Sequence, residues 1–425
     1  MRSVAKGDAD ARLAAFDRFV AAPPPTPHEE IWRYSRISEL DLDTFAFGTL
    51  TTTITGAEVV LVDDGAVDQS LFDEQGELDL FADLNRSLMS AIHLRVKPGA
   101  VIEQPVVINH ELTTDGTACF PRLVIEAGED SEITVIERFT SSDSVTGIIM
   151  PVLRVHAARS ARVKYLSVND LGSHVWQIAN QQSTGERDSN TLLSTVALGG
   201  DYARVRTHAR LTGQGGSTRQ VALYFADGSQ THDFRTTQEH IAPKTTSDLL
   251  FKGAVNDVAR SVYTGLIKIG PDARGTVAFQ TNRNLTLSDG AWAESVPNLQ
   301  IDTNDVKCSH ASTVGPIDEE QRFYLESRGI QPDIAERLVV LGFFDEVLAQ
   351  LPTGGFAAEL RERISNKLHK AVVPGGSTRG ASSPAGSSPA GSAPDASNSG
   401  TSKSGTSDSG TSDSGTSTAR SSIPA

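Results

Sequence analysis

The sequence predicts a mainly β protein with short helical regions at both ends and an unfolded tail. Three observations predict it. Between about Val59 and Ile301, short β-branched runs alternate with turn signals. On either side of that span, apolar residues recur at helical spacing. Beyond about Val373, apolar residues almost disappear.

The first element spans about residues 8–22. Leu13, Phe16, Phe19 and Val20 fall at helical spacing, and Pro23-Pro24-Pro25 ends the run. His28 to Ser35 reads as a short helix, and Leu40 to Asp43 as a loop. We set the N-terminal helical region at 1–58 and the β core at 59–315.

Within the core, Ile92–Val96 closes on Pro98-Gly99, and Leu123–Ile125 closes on Gly128-Glu129-Asp130. Val106–Ile108, Ile133–Ile136, Val152–Val155 and Val163–Val168 are further strands. Turns at Gly99, Gly128, Ser160, Gly185 and Gly213 recur at intervals typical of repeat arrays. A single sandwich rarely runs this long, whereas a β-helix buries each coil against the next. The repeat has no fixed motif, so the residues alone leave the two architectures open.

Past Cys308 the pattern turns helical, and we set a C-terminal helical domain at 316–371. Asp318 and Gln321 have capping-box spacing, Gly329 suits a left-handed stop, and Pro332 suits a first turn. Ile334, Leu338, Leu341, Phe344, Leu348 and Leu351 form an apolar stripe. A last helix runs from about Phe356 to Lys370, with cations at its end. Residues 372–425 carry five-residue Gly/Ser-rich repeats and read as disordered.

Composition narrows function. The formal net charge is −15, so no basic excess exists to displace counterions from nucleic acid. Two cysteines, Cys119 and Cys308, are too few for a disulfide framework and fit a reducing cytoplasm. The first residues lack the apolar stretch of a signal peptide, and no apolar run is long enough to span a membrane. No phosphate loop, nucleophile elbow, zincin pair or CxxC is present, so the chain is not read as an enzyme.

One local constellation remains: Asp305-Val306-Lys307-Cys308-Ser309-His310. On an extended backbone, Val306, Cys308 and His310 share one face. Thiolate and imidazole are both ligands for iron–sulfur species. Two ligands make half a site at most, and spacing alone favours a buried cysteine beside a hydrogen-bonded histidine over a ligand pair. Cys119 reads as a small packed residue. His232-Asp233-Phe234-Arg235 and Glu239-His240 read as strand-stabilising groups. The acids from Asp248 to Asp257 would suit a polysaccharide-cleaving β-helix, an alternative without a second acidic cluster to support it.

Several longer stretches resemble the SufB/SufD family of iron–sulfur cluster assembly scaffold proteins. They include Thr231-His232-Asp233-Phe234 with Ser247 to Gly253, Gln280 to Leu285, and Pro297-Asn298-Leu299. The longest runs from Asp305 through Gly315 and Asp318 to Ile330, and Glu30 to Asp43 resembles the family's N-terminal region. The likeness covers about residues 28–351. It is nearer the SufD branch, because no cysteine stands in Ser288-Asp289-Gly290-Ala291-Trp292, and Cys308-Ser309-His310 stands where SufB typically has Glu-His-Glu.

The resemblance implies a right-handed parallel β-helix. It implies a non-catalytic subunit of a complex with SufB and the ATPase SufC, paired with SufB through the β-helix. The C-terminal helices would dock SufC, with Phe323, Tyr324, Arg328, Gly329, Phe343 and Phe344 as candidate contacts. No cofactor would be stably bound; a transient iron–sulfur cluster would form at the partner interface, with His310 and Cys308 as candidate ligands and His310 the stronger. A homodimer is the remaining alternative.

Overall fold

The computed structural model describes residues 6–56, 71, 79–353 and 355–372. The tail expected to be disordered lies outside them. Two largely parallel sheets, one of eleven strands and one of nine, dominate the described residues. The chain alternates between them, and each strand pairs with the strand one coil earlier. Glu132, Arg162, Asn190, Ser217, Thr246 and Val277 therefore stack in one column, 27 to 31 residues apart. This is a parallel β-helix, and it resolves the choice the sequence left open.

The missing motif has a conformational reason. Gly99, Asp130, Ser160, Asp188, Gly215, Lys244 and Gly275 all have φ between 55° and 76°. They occupy the same corner of successive coils. The amide of Gly99 donates to the Glu129 carbonyl at 2.7 Å, that of Lys244 to Arg274 at 2.7 Å, and that of Gly275 to Asp305 at 2.7 Å. The corner demands a left-handed residue, which glycine adopts freely and short polar residues tolerate. What repeats is a backbone conformation, and several side chains satisfy it.

Strand residues alternate between the lumen and the outer faces. The early lumen is apolar, with Leu94, Leu123 and Leu153 of one sheet against Val106, Val135 and Val163 of the other. Outside the nine-stranded sheet lie helices α4 (Pro332–Leu348) and α5 (Ala357–Val372), after α3 (Glu319–Ser327). Val340, Phe344 and Val347 of α4, with Leu360 and Ile364 of α5, pack on Leu166, Val221 and Leu250. The eleven-stranded sheet is covered by α2 (Leu80–Leu88) and by Trp32 and Ile37, packed on Ala118, Ile148 and Ile178. Helix α1 (Lys6–Ala21) packs on α2, joined to it by the Arg18–Asp83 ion pair.

Three placements differ from the sequence reading. The strands Ala46–Phe47 and Thr51–Thr55 join the sheets before residue 59. The segment Glu30–Trp32 is a single 3-10 turn. Helix α2 lies inside the expected β span, started by Asp79, whose carboxylate accepts from the amides of Phe81 and Ala82. Apolar spacing in α1 does not mean burial either: Leu13, Phe16 and Val20 are exposed. No helix among the described residues is long and apolar enough to cross a membrane.

The two ends of the nine-stranded sheet differ. At the first, Thr51–Thr55 runs antiparallel to Val106–Leu112. Behind it, the Thr52 hydroxyl meets His110 Nδ1 at 2.9 Å, His110 Nε2 meets Glu137 at 3.0 Å, and the Tyr165 hydroxyl donates to Glu137 at 2.5 Å. At the other end, the strand Val306–Gly315 pairs, among the described residues, only with Thr276–Thr286. Among the described residues nothing pairs with its second edge, or with that of Trp292–Ile301 in the other sheet. A free edge presents unpaired backbone donors and acceptors to another chain.

A candidate half-site at the open end

Cys308 and His310 stand on the strand Val306–Gly315, in register with Ala278 and Gln280 one coil below. The alternation expected from an extended backbone is present. Val306 and Cys308 are half-buried against Ile267, Ile269 and Ala278, while Lys307 and Ser309 are exposed on the opposite face. His310 follows on the lumen side, yet it is exposed because no further coil among the described residues covers it. Beyond it, the Ser312 hydroxyl donates to the Ser295 hydroxyl at 2.6 Å, joining the last strands of the two sheets.

Burial pushes the Cys308 thiol above its ordinary range. In the chain alone the protonated form is therefore favoured, and a nearby cation would be needed to draw out the thiolate. Among the described residues, no group of three or more His, Cys, Asp or Glu side chains could hold a metal ion. Cys308 and His310 are close in the fold, but they are two donors at a free edge. Leu299, Ile301 and Val314 are exposed apolar groups at the same end.

The other candidates separate into packing and surface. Cys119 is buried among Leu112, Phe139 and Ile149. Asp233 is fully buried between two arginines: Arg235 Nε donates to it at 2.8 Å, and Arg204 is paired with it. Arg204 also donates to the Ile31 carbonyl and lies 4.0 Å from the Trp32 ring centroid. Arg235 donates to the Arg33 carbonyl. The group that could suggest acid–base work thus ties the N-terminal segment to the solenoid. His240 is buried between the hydroxyls of Thr245 and Ser247, at 2.7 and 2.8 Å, and burial lowers its pKa to about 4. Sequence could not separate these histidines from His310, because only stacking order decides which coil is last.

The six helical candidates also divide. Asp318 caps α3, accepting from the amides of Glu320 at 2.9 Å and Gln321 at 3.2 Å. Phe323 and Tyr324 are 70% and 56% exposed, a high value for adjacent aromatics. The Arg328 guanidinium sits 5.1 Å from the Tyr324 ring centroid, and Gly329 takes φ 85° to end the helix. Phe344, in contrast, is fully buried against the solenoid and supports α4 from within, out of a partner's reach. Phe343 is half-buried, with the Lys252 ammonium 4.5 Å from its ring centroid. A groove of about 860 Å³ between α3 and α4 is lined by Leu285, Tyr324, Leu325, Leu338 and Phe343. Its acidic rim, Asp318 and Glu320, was not apparent before α3 was placed.

The family model for "SUF system FeS cluster assembly, SufBD core domain" matches residues 110–343. An iron–sulfur cluster assembly SufBD family protein of Mycobacterium tuberculosis is 31% identical over 371 residues, covering 83% of this chain and 90% of that protein. The iron–sulfur cluster assembly protein SufD of Escherichia coli is 30% identical over 311 residues, covering 71% of each. SufD of Bacillus subtilis is 32% identical over 282 residues, covering 65% of this chain and 63% of that protein.

Proposed function

The chain belongs to the SufBD family of the SUF iron–sulfur cluster assembly system, and from that premise we propose that it is a non-catalytic scaffold subunit whose open solenoid end forms a shared cluster site with a SufB-type partner. The observation that carries this reading is the position of Cys308 and His310. Among the described residues they lie on the last strand of the solenoid, with an unpaired edge beside them and too few donors around them. Tetrahedral iron in a cluster takes thiolate or imidazole ligands. A second chain at that edge would supply the rest, and its approach would bury the exposed Leu299, Ile301 and Val314.

The C-terminal helices would hold the SufC ATPase, with Phe323 and Tyr324 as the main contacts and Arg328, Gly329 and Phe343 shaping the surface around them. Nucleotide-driven movement of SufC would reach the open end through α3, which follows the Val306–Gly315 strand after only a few residues. The compartment would be the cytoplasm. The cluster is cargo: assembled at the interface and passed on.

Co-expression with SufB and SufC tests the pairing. The three chains are expected to co-purify; elution of this chain alone, or as a homodimer that excludes SufB, would contradict the proposal. Phe323→Ser with Tyr324→Ser is expected to lose SufC while keeping SufB and an unchanged melting temperature. Retention of SufC by that variant would remove α3 from the docking surface.

A further inference from the structure

Beneath His310 the lumen carries buried glutamines among apolar groups such as Leu249 and Ile267, whereas the lumen of the earliest coils is apolar. Gln220, Gln238 and Gln280 are each no more than 2% exposed. Gln220 Nε2 donates to the Thr237 carbonyl and Gln238 Nε2 to the Phe279 carbonyl, both at 3.4 Å, each bond crossing from one sheet to the other. Neither Oε1 has a protein partner, and neither amide atom of Gln280 has one. The Tyr263 hydroxyl meets Thr236 Oγ1 at 3.1 Å. It also approaches the Gln280 amide over Gly265. A Cβ on Gly265 would lie 2.3 Å from that hydroxyl and 2.4 Å from Gln280 Nε2. Gly265 thus leaves room for polar atoms from two walls.

A buried amide without partners is costly, and an apolar side chain of similar size would avoid the cost. Leu249 fills the same column one coil below Gln280. Packing alone therefore does not account for a glutamine here. Gln280 is in register with His310, so both side chains leave the sheet on the lumen side, one coil apart. His310 stands one coil above the Gln280 amide, on the last strand of the sheet.

We infer that Gln280 is a positioning residue for His310: with Gln238 and Tyr263 it lines a hydrated chamber whose water hydrogen-bonds the lumen-side nitrogen of the imidazole. Buried polar groups in a space with several donors and acceptors hold ordered water. A hydrogen bond at one imidazole nitrogen selects the tautomer and leaves the other nitrogen as the ligand. The outward nitrogen then faces the open end. The purpose of this arrangement rests on the reading of His310 as a cluster ligand; its geometry does not.

The test is ¹⁵N NMR of histidine-labelled, iron-free, full-length chain under conditions that keep the imidazoles neutral, with the His310 signals assigned by their loss in His310→Ala. One tautomer is expected to dominate at His310. Gln280→Leu is expected to move its ring shifts toward the mixture of free histidine without lowering the melting temperature, and Gln280→Glu, which keeps an acceptor, to retain the single tautomer. Unchanged His310 shifts in folded Gln280→Leu would overturn the inference. Should that variant not fold, Gln238→Leu is expected to shift the same signals, and unchanged shifts there would overturn it equally. Normal cluster content in His310→Ala cells would instead sink the ligand reading and leave the ring measurement standing.

Discussion

Asp233 illustrates how far a residue's type falls short of its role. Its sequence neighbours, His232 and Arg235, would suit acid–base chemistry, yet it is the shared counter-ion of Arg204 and Arg235 at zero exposure. Asp233→Ala would leave two guanidinium groups buried without compensation. A loss of about 3–5 kcal/mol is expected in urea unfolding, and a loss below about 1 kcal/mol would mean that water or a rearranged partner replaces the carboxylate. His240 gives a pH prediction. In the unfolded chain it takes a proton near its ordinary 6.5, and in the folded chain only near 4. Between those values the unfolded state binds the extra proton, so stability falls as pH drops from about 6.5 to about 4. His240→Asn is expected to flatten that part of the stability–pH curve; an unchanged slope would show that other groups carry it. Burial separates His240 and His310, and no local pattern around either could reveal it.

At the scale of elements, helix ends were the most legible feature. Asp318, Gly329 and Pro332 occupy the cap, stop and first-turn positions their types suggest. Asp318→Ala is expected to weaken α3 by about 1 kcal/mol and to reduce SufC capture more than SufB capture; equal loss of both would show a global effect. Helix α2 was missed because its nine residues make only about two and a half turns, inside a span that otherwise reads as strands and turns. Corner residues were half legible. Gly99 and Ser160 were placed correctly, but among the later corners Asp188 and Lys244 are also left-handed and do not announce themselves. Lys244 carries φ 57° with a Cβ that the conformation disfavours. Lys244→Gly is expected to raise stability by up to about 1 kcal/mol, read as a higher urea midpoint; a lower midpoint would show that the lysine side chain contributes more than the strain removes.

At the scale of the molecule, a parallel solenoid needs something at each end. Here the first end carries an antiparallel strand over a buried His110–Glu137–Tyr165 chain, and at the last end the final strand of each sheet has, among the described residues, a partner on one side only. The candidate ligands Cys308 and His310 sit at the end left free. Sequence placed both residues on one face but could not say that their strand is the last, since that follows from how coils stack. It placed the aromatic candidates of the C-terminal helices together, and packing then turned Phe344 inward and left Phe323 outside. On the proposed function, the solenoid would offer an incomplete site to one partner and the C-terminal helices exposed aromatics to another.

The most direct measurement is the iron and acid-labile sulfide content of the complex purified anaerobically with SufB and SufC, wild type against His310→Ala. The account predicts an intact three-component complex in both, with clusters in the wild type and almost none in the variant. Equal cluster content in an equally intact complex would contradict the claim that this chain's open end supplies part of the site.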